Sequence, residues 1–341
     1  MHILAANRPS VRAGSPPGNW REAMKSAIRD ARTLCEELRL PTGVAESAGR
    51  AAEGFPIFVP QPFLARMQPG DIRDPLLRQV LPLDEELRPQ PGFSADPVGD
   101  GEATHGPGLL RKYTGRALLI TTGACAIHCR YCFRRHFPYE EAPKSLAAWH
   151  DALEAIAADG SIHEVLLSGG DPLTLVDETL EALVERLAAI PHLRRLRVHS
   201  RLPVVIPRRV DDRMLAWFTG TRLTPVMVIH ANHPNELDAE VAESVGRLIA
   251  AGVPVLNQAV LLRGVNDRVE TLAELSERLL DIRVTPYYLH QLDRVAGAAH
   301  FEVPVAEGQR LIEQLRSRLP GYAVPRYVQE IAGDSHKRVL A

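Results

Sequence analysis

Three of the chain's four cysteines, Cys125, Cys129 and Cys132, lie in the window CAIHCRYC, directly after the apolar run 117–120. With three and then two residues between them, one short loop can place three thiolates on three irons of a four-iron, four-sulfur cube. The fourth iron is then left without a protein ligand. Such an iron can take a small ligand and do chemistry on it. Zinc or metal-free thiols are the plain alternatives, but a structural zinc site closes four ligands, usually as two pairs at separate places in the sequence. No second pair is present: Cys35 sits alone in an amphipathic stretch and reads as a buried thiol.

Further polar residues fall where apolar runs end. The segment SGGDPL, residues 168–173, puts a carboxylate, Asp171, beside two glycines that admit a close approach of the backbone. Taken alone, Gly-Gly-Asp-Pro is also an ordinary turn composition. His199, Ser200 and Arg201 follow the next run, His230, Ala231, Asn232 and His233 the one after, and Asn257 and Gln258 lie inside the next. A single strand-end histidine often only caps the chain, and an in-strand Asn-Gln pair can simply satisfy backbone groups. Four successive polar strand ends describe a polar cavity at one rim, as a cofactor and a polar substrate require.

The elements that must position these groups form a regular series. Apolar or β-branched runs at 117–121, 164–167, 196–199, 226–230, 253–260 and 284–289 predict six strands with helices between them, hence a parallel α/β array. Two of the connecting helices carry one apolar stripe each: Val176, Leu180, Leu183, Val184, Leu187 and Ile190, then Leu237, Val241, Val245, Leu248 and Ile249. Right-handed connections give either a partly closed barrel or an open doubly wound sheet, and both gather their chemistry at the strands' carboxyl ends. Upstream, Trp20, Met24, Ile28, Leu34 and Leu38 predict a helical region over 19–40, after a Pro/Gly/Ser-rich start read as disordered. Residues 88–108 are too rich in Pro and Gly for helix or central strand and predict a long irregular connector wrapping the next domain.

At 341 residues the chain can bury a large core, as about two domains or one barrel with appendages. A net charge of −2 with well-mixed signs gives no polyanion-binding surface, so nucleic acid is not an expected partner. No apolar run approaches a membrane span of about 18 residues, and no secretory signal is legible. Thiols that hold iron need a reducing compartment, so the expected location is cytoplasmic.

The motifs TTGACAIHCRYCFRRHFP, LLSGGDPL, RVHSRLPVVIP, LNQAVLLRGVND and PYYLHQLDRVAGAAHF, supported upstream by MQPGDIRDPLLRQVLP, resemble the lysine 2,3-aminomutase family of radical S-adenosylmethionine enzymes. In length and detail the chain is most similar to the short bacterial branch associated with β-lysine modification of elongation factor P. The resemblance implies an α/β fold: a partial (β/α)6 barrel over 108–300, preceded by a helical region and connector over 1–107 and followed by a segment, 301–341, that closes the barrel mouth. It implies a [4Fe–4S] cluster on Cys125, Cys129 and Cys132, with S-adenosylmethionine on the open iron. Gly169, Gly170 and Asp171 match the segment lying against the methionine part of that cofactor, and His230 and Gln258 match positions lining its nucleoside pocket.

Lys337, in QEIAGDSHKRVL, matches the family's pyridoxal 5′-phosphate lysine, which forms a Schiff base with that cofactor. Without the resemblance it reads as a solvated tail lysine. A lysine forms imines well when desolvated or set beside another cation, so the tail has to fold over the barrel mouth. Lys112, Tyr113 and Arg116 match positions near the cofactor's phosphate and ring; Lys112 stands where longer relatives carry arginine, exchanging a bidentate contact for a point charge. Arg134 matches the family's clamp for the substrate carboxylate. Asp293 and Glu330 match its acidic pair for the ε-ammonium of L-lysine, with Glu330 one methylene longer than the aspartate of the longer aminomutases.

The implied reaction converts L-lysine to β-lysine. The substrate α-amine displaces Lys337, an adenosyl radical takes a β-hydrogen, the nitrogen migrates, and the hydrogen returns so that S-adenosylmethionine is regenerated. A donor such as flavodoxin or ferredoxin, and downstream the elongation factor P lysine ligase, are the implied partners. The zinc bridge between subunits of larger relatives is not expected, because Arg268 is no metal ligand, and a homo-oligomer is left open. Two rival readings are an aminomutase acting on arginine or glutamate, the latter disfavoured because Asp293 and Glu330 would repel it, and a non-catalytic iron–sulfur or metal-binding protein.

Overall fold

The computed structural model describes residues 19–341 apart from 142 and 144, so the Pro/Gly/Ser-rich start lies outside the described residues. One sheet takes its strands in sequence order: β1 (Leu109–Leu110), β2 (Arg116–Thr122), β3 (Glu164–Gly169), β4 (Arg195–Ser200), β5 (Thr224–His230), β6 (Val255–Val260), β7 (Thr285–His290), β8 (Arg326–Gln329) and β9 (Arg338–Val339). Strands β2 to β8 run parallel, while β1 and β9 pair antiparallel at the two edges. Each strand lies beside its predecessor, which is the winding of a barrel; a doubly wound sheet reverses its order at a switch point. Among the described residues the edge strands do not meet, so the barrel is partial.

The six expected strands are β2 to β7. A seventh parallel strand, β8, comes from the segment after residue 301; its sequence, RYVQ, is too short and too polar to announce itself by periodicity. The amino-terminal region expected to be helical over 19–40 is helical. It forms two helices, Trp20–Lys25 and Ala31–Glu37, because Asp30 accepts a bond from the Thr33 N–H at 2.8 Å and Ile28 is drawn into a bridge with Val59. The connector over 88–108, all described, holds no helix or strand. Ser94 ties it to the loop after β7, donating to the Arg294 carbonyl at 2.9 Å and accepting from the Ala296 N–H at 2.8 Å.

Side-chain alternation gives the sheet two unlike faces. Ala117, Leu119, Val165, Leu167, Leu196, Val198, Met227 and Ile229 join one apolar core with Leu180, Leu183 and Leu187 of helix Asp177–Ala188 and Val241, Val245 and Leu248 of helix Ala239–Ala250. The residues between them therefore point to the opposite face, away from those helices. They include Arg116 on β2, Ser168 on β3, Arg197 and His199 on β4, His230 on β5, Gln258 on β6, and Tyr288 and His290 on β7. Register places His230 beside Gln258 and Gln258 beside Tyr288 in one row. A polar channel follows from period-two alternation in strands that are apolar on their other side. No helix among the described residues is long and apolar enough to cross a membrane.

Candidate active site

The loop after β2 presents Cys125, Cys129 and Cys132 as free, partly buried thiols. Burial, and then Cys132, Asp171 and Cys129, push the Cys125 thiol well above its usual range, and burial with Cys129 pushes Cys132 up to about 11. Cys125 and Cys132, buried and within electrostatic reach of each other, resist ionising alone. Bound iron supplies the missing positive charge, because a coordinating thiol is deprotonated outright. Among the described residues no three His, Cys, Asp or Glu close around a single ion; thiolates on three different irons of a cube are spaced more widely than ligands that share one ion. The donor set fits a cluster.

The SGGDPL segment packs directly onto that loop. The Gly170 N–H donates to the Thr122 carbonyl at 2.7 Å and the Asp171 N–H to the Ala124 carbonyl at 2.8 Å. A Cβ on Gly170 would lie 2.3 Å from the Ala124 oxygen, and Gly169, at a φ of +125°, would set one 2.7 Å from the Thr122 oxygen. Both glycines are thus required for backbone to meet backbone. The Asp171 carboxylate is turned inward. It accepts from Ser200 Oγ at 2.7 Å and from the N–H groups of Arg201 at 2.8 Å, Leu173 at 3.0 Å and Leu202 at 3.2 Å. Its side chain therefore joins the loop after β3 to the loop after β4.

That anchorage sets Arg201, a residue the sequence places at a strand mouth without a role. Its Nη1 donates to Cys129 Sγ at 2.8 Å, and its Nη2 donates to Gln79 Oε1 at 2.5 Å and Glu236 Oε2 at 2.9 Å. Gln79 and Glu236, neither singled out by the sequence, are fully buried. Asn257, by contrast, takes the plain alternative: it accepts from the Ala231 N–H at 2.8 Å and donates to the Ala231 carbonyl at 3.1 Å.

Deeper in the channel, Gln258 Nε2 lies 3.1 Å from His230 Nε2. Burial and Arg201 push His230 down to about 3, so its imidazole is neutral and that ring nitrogen accepts. The His199 ring lies 6.0 Å from the His230 ring. His199 Nε2 and His290 Nε2 are buried without a partner among the described residues. Both imidazoles are driven neutral, by burial first, then by Arg197 at His199 and by Lys337 at His290.

The mouth is closed by the β8–β9 hairpin. Val328 pairs with Val339 and Gln329 with Arg338, so the next positions in that register are Glu330 and Lys337. Their side chains form an ion pair, with Lys337 Nζ donating to Glu330 Oε2. Tyr113 also bonds Glu330, and Lys112 Nζ lies 3.5 Å from Glu330 Oε1 and 2.7 Å from Asp100 Oδ1. Burial raises Glu330, but Lys337, Tyr113 and Lys112 together hold it below the usual range. Asp293 is pushed up to about 7, mainly by burial, with Lys337 opposing and Glu330 adding to the rise. The Arg116 guanidinium lies 4.8 Å over the Tyr113 ring, and its Nε is buried without a partner among the described residues. Lys112, Tyr113, Arg116, Asp293, Glu330 and Lys337 are thus brought together. An unpaired guanidinium N–H at Arg116 and unpartnered ring nitrogens at His199 and His290, beside a carboxylate-held lysine, suit a phosphate-bearing aldehyde.

Arg134 joins this group through a residue that sequence reasoning missed. Asp100, in the irregular connector, is 2% exposed and accepts from Arg134 Nε at 2.6 Å, while Arg134 Nη1 donates to Ser168 Oγ at 3.3 Å. The connector thus contributes a carboxylate to the site, and its Pro/Gly density hid the one acid that is buried.

The chain is similar to known proteins over most of its length. Residues 119–276 match the Radical SAM superfamily. The chain is 45% identical over 323 residues to the L-lysine 2,3-aminomutase of Haemophilus influenzae, an alignment spanning 95% of this chain and 96% of that one. It is 44% identical over 340 residues to the L-lysine 2,3-aminomutase of Escherichia coli, spanning 99% and 97% of the two chains. Against the L-lysine 2,3-aminomutase of Clostridium subterminale the identity is 35% over 321 residues, spanning 94% of this chain and 77% of that one.

Proposed function

This chain belongs to the L-lysine 2,3-aminomutase family of radical S-adenosylmethionine enzymes, and from that premise we infer which of its own residues carry the reaction. It is an isomerase that moves the α-amino group of L-lysine to the β-carbon, and it uses a [4Fe–4S] cluster, S-adenosylmethionine and pyridoxal 5′-phosphate. When bound, the cluster supplies one electron, S-adenosylmethionine a radical that removes and returns one hydrogen atom, and pyridoxal phosphate an electron-accepting π-system for the migrating nitrogen.

The observation that carries the residue assignment is the hairpin register that sets Lys337 against Glu330, with Asp293 in the same mouth. Lys337 anchors the pyridoxal, and Arg116, Tyr113 and Lys112 hold its phosphate and ring. Arg134 takes the substrate carboxylate; Asp293 and Glu330 take its distal ammonium. Cys125, Cys129 and Cys132 hold the cluster, Gly169 and Gly170 let the neighbouring loop close on it, and Asp171 fixes that loop to the next. His230 and Gln258 face the nucleoside. The neutral imidazoles of His199, His230 and His290 offer hydrogen-bonding nitrogens there without bulk water.

In this reading the three segments divide the work: the described residues 19–107 brace the cysteine loop and lend Asp100, 108–300 carries six parallel strands of the barrel, and 301–341 adds the seventh and brings Lys337 to it. The free thiols suit the reducing cytoplasm, a flavodoxin- or ferredoxin-like protein donates the electron, and β-lysine passes to a ligase acting on elongation factor P. The test is an assay of anaerobically reconstituted protein with L-lysine, L-arginine and L-glutamate in parallel. β-Lysine from the first alone is expected. A β-amino acid formed from arginine would transfer the acidic pair to a guanidinium substrate.

A further inference from the structure

We propose that Arg201 is a positioning residue for the iron–sulfur centre, and that its hydrogen bond to the Cys129 sulfur makes that centre easier to reduce. The inference rests on the reading that Cys129 holds one of the irons.

Five observations support it. Arg201 is 7% exposed and, being arginine, is charged at any working pH. Its guanidinium lies 5.2 Å from the centre of the Phe63 ring and 5.9 Å from that of Tyr131, which confines its plane. Its backbone N–H is held by Asp171 at 2.8 Å, and its Nη2 by Glu236 and Gln79. These contacts leave Nη1 aimed at Cys129 Sγ, 2.8 Å away. Glu236 is itself fixed, accepting at Oε1 from the Asn232 N–H at 2.9 Å and from Gln79 Nε2 at 3.0 Å. The ion pair is therefore an oriented dipole, its positive end on the sulfur and its negative end beyond the guanidinium.

Reduction places one electron, taken from an external one-electron donor, on the cluster, with no bond made or broken. The added negative charge is spread over the sulfurs, so an N–H donor and a fixed positive charge at one sulfur stabilise the reduced state more than the oxidised state. Low surrounding polarity strengthens that preference. The same geometry explains why Asp171 spends its acceptor capacity inside the protein: it holds the backbone from which Arg201 reaches the sulfur.

The test is a redox titration of the anaerobically reconstituted protein, with the reduced cluster followed by electron paramagnetic resonance. Iron and sulfide content of the parent protein come first; a parent without a cluster would overturn the cluster reading itself. Arg201→Met is expected to lower the equilibrium constant for one-electron reduction at least tenfold, a shift of 59 mV. Arg201→Gln, which keeps hydrogen bonding to its neighbours, reads the same loss of charge where the methionine variant does not retain iron. Glu236→Gln is expected to shift the potential the opposite way. Unchanged potentials in the Arg201 variants, or a lower potential in Glu236→Gln, would overturn the proposal, since a merely structural role changes iron content and leaves the midpoint in place.

Discussion

Lys337 and Glu330 face each other across the β8–β9 hairpin as an ion pair, and Glu330 is the acid assigned to the substrate's distal ammonium. One carboxylate thus has two cationic suitors. On the proposed assignment, a Lys337 engaged with pyridoxal phosphate would leave this carboxylate open to the substrate's ammonium.

Replacing Glu330 by glutamine keeps a neutral acceptor and removes the charge. L-Lysine is expected to bind at least tenfold more weakly, about 1.4 kcal/mol. The pyridoxal absorbance at about 420 nm should persist. Lysine titrations of that band measure the affinity; an unchanged value would remove Glu330 from the substrate site.

Asp293 adds a pH dependence of definite sign. Its pKa of about 7 leaves it largely protonated below that pH, and only the ionised form attracts an ammonium. The KM for lysine should therefore fall as pH rises through about 7 and then level. The Asp293→Asn variant should lose this slope and show a uniformly raised KM. A flat profile in the parent enzyme would contradict the assignment.

Asp100 is buried between Arg134 and Lys112. Burial alone would raise its pKa, but the two cations hold it below the usual carboxylate range. A depressed folded-state pKa stabilises the fold above the unfolded value and loses that contribution as pH falls through the folded value. Asp100→Asn should cost about 3 kcal/mol at neutral pH, as expected for breaking a buried pair, and flatten the acid limb of stability. Urea unfolding at several pH values measures both.

Gly170→Ala tests the packing of the two loops. A methyl group 2.3 Å from the Ala124 oxygen has no room. The cysteine loop must shift, at about 1–3 kcal/mol or more. Iron incorporation during reconstitution should drop, while Gly246→Ala, at a helix position with nothing within 4 Å, should leave it unchanged.

The strands were legible in sequence as short apolar or β-branched runs separated by helical stretches, and the cysteine loop because its spacing has few other uses. The tail lysine acquired meaning from motif resemblance, and its partner from hairpin register, which composition does not announce. Asp100, Gln79 and Glu236 stayed hidden for one reason: a buried polar residue is recognised by what surrounds it, and each meets its arginine partner from more than thirty residues away. Asp171 shows the converse. Its motif was conspicuous, yet its carboxylate serves the protein's own backbone.

The most direct measurement uses L-lysine deuterated at carbon 3, incubated anaerobically with the reconstituted enzyme and with Lys337→Ala. The parent should form β-lysine and carry deuterium into recovered S-adenosylmethionine, and the variant should do neither. β-Lysine from the variant, or product formed with deuterium lost only to water, would contradict the assignment of nitrogen migration to a radical relay centred on Lys337.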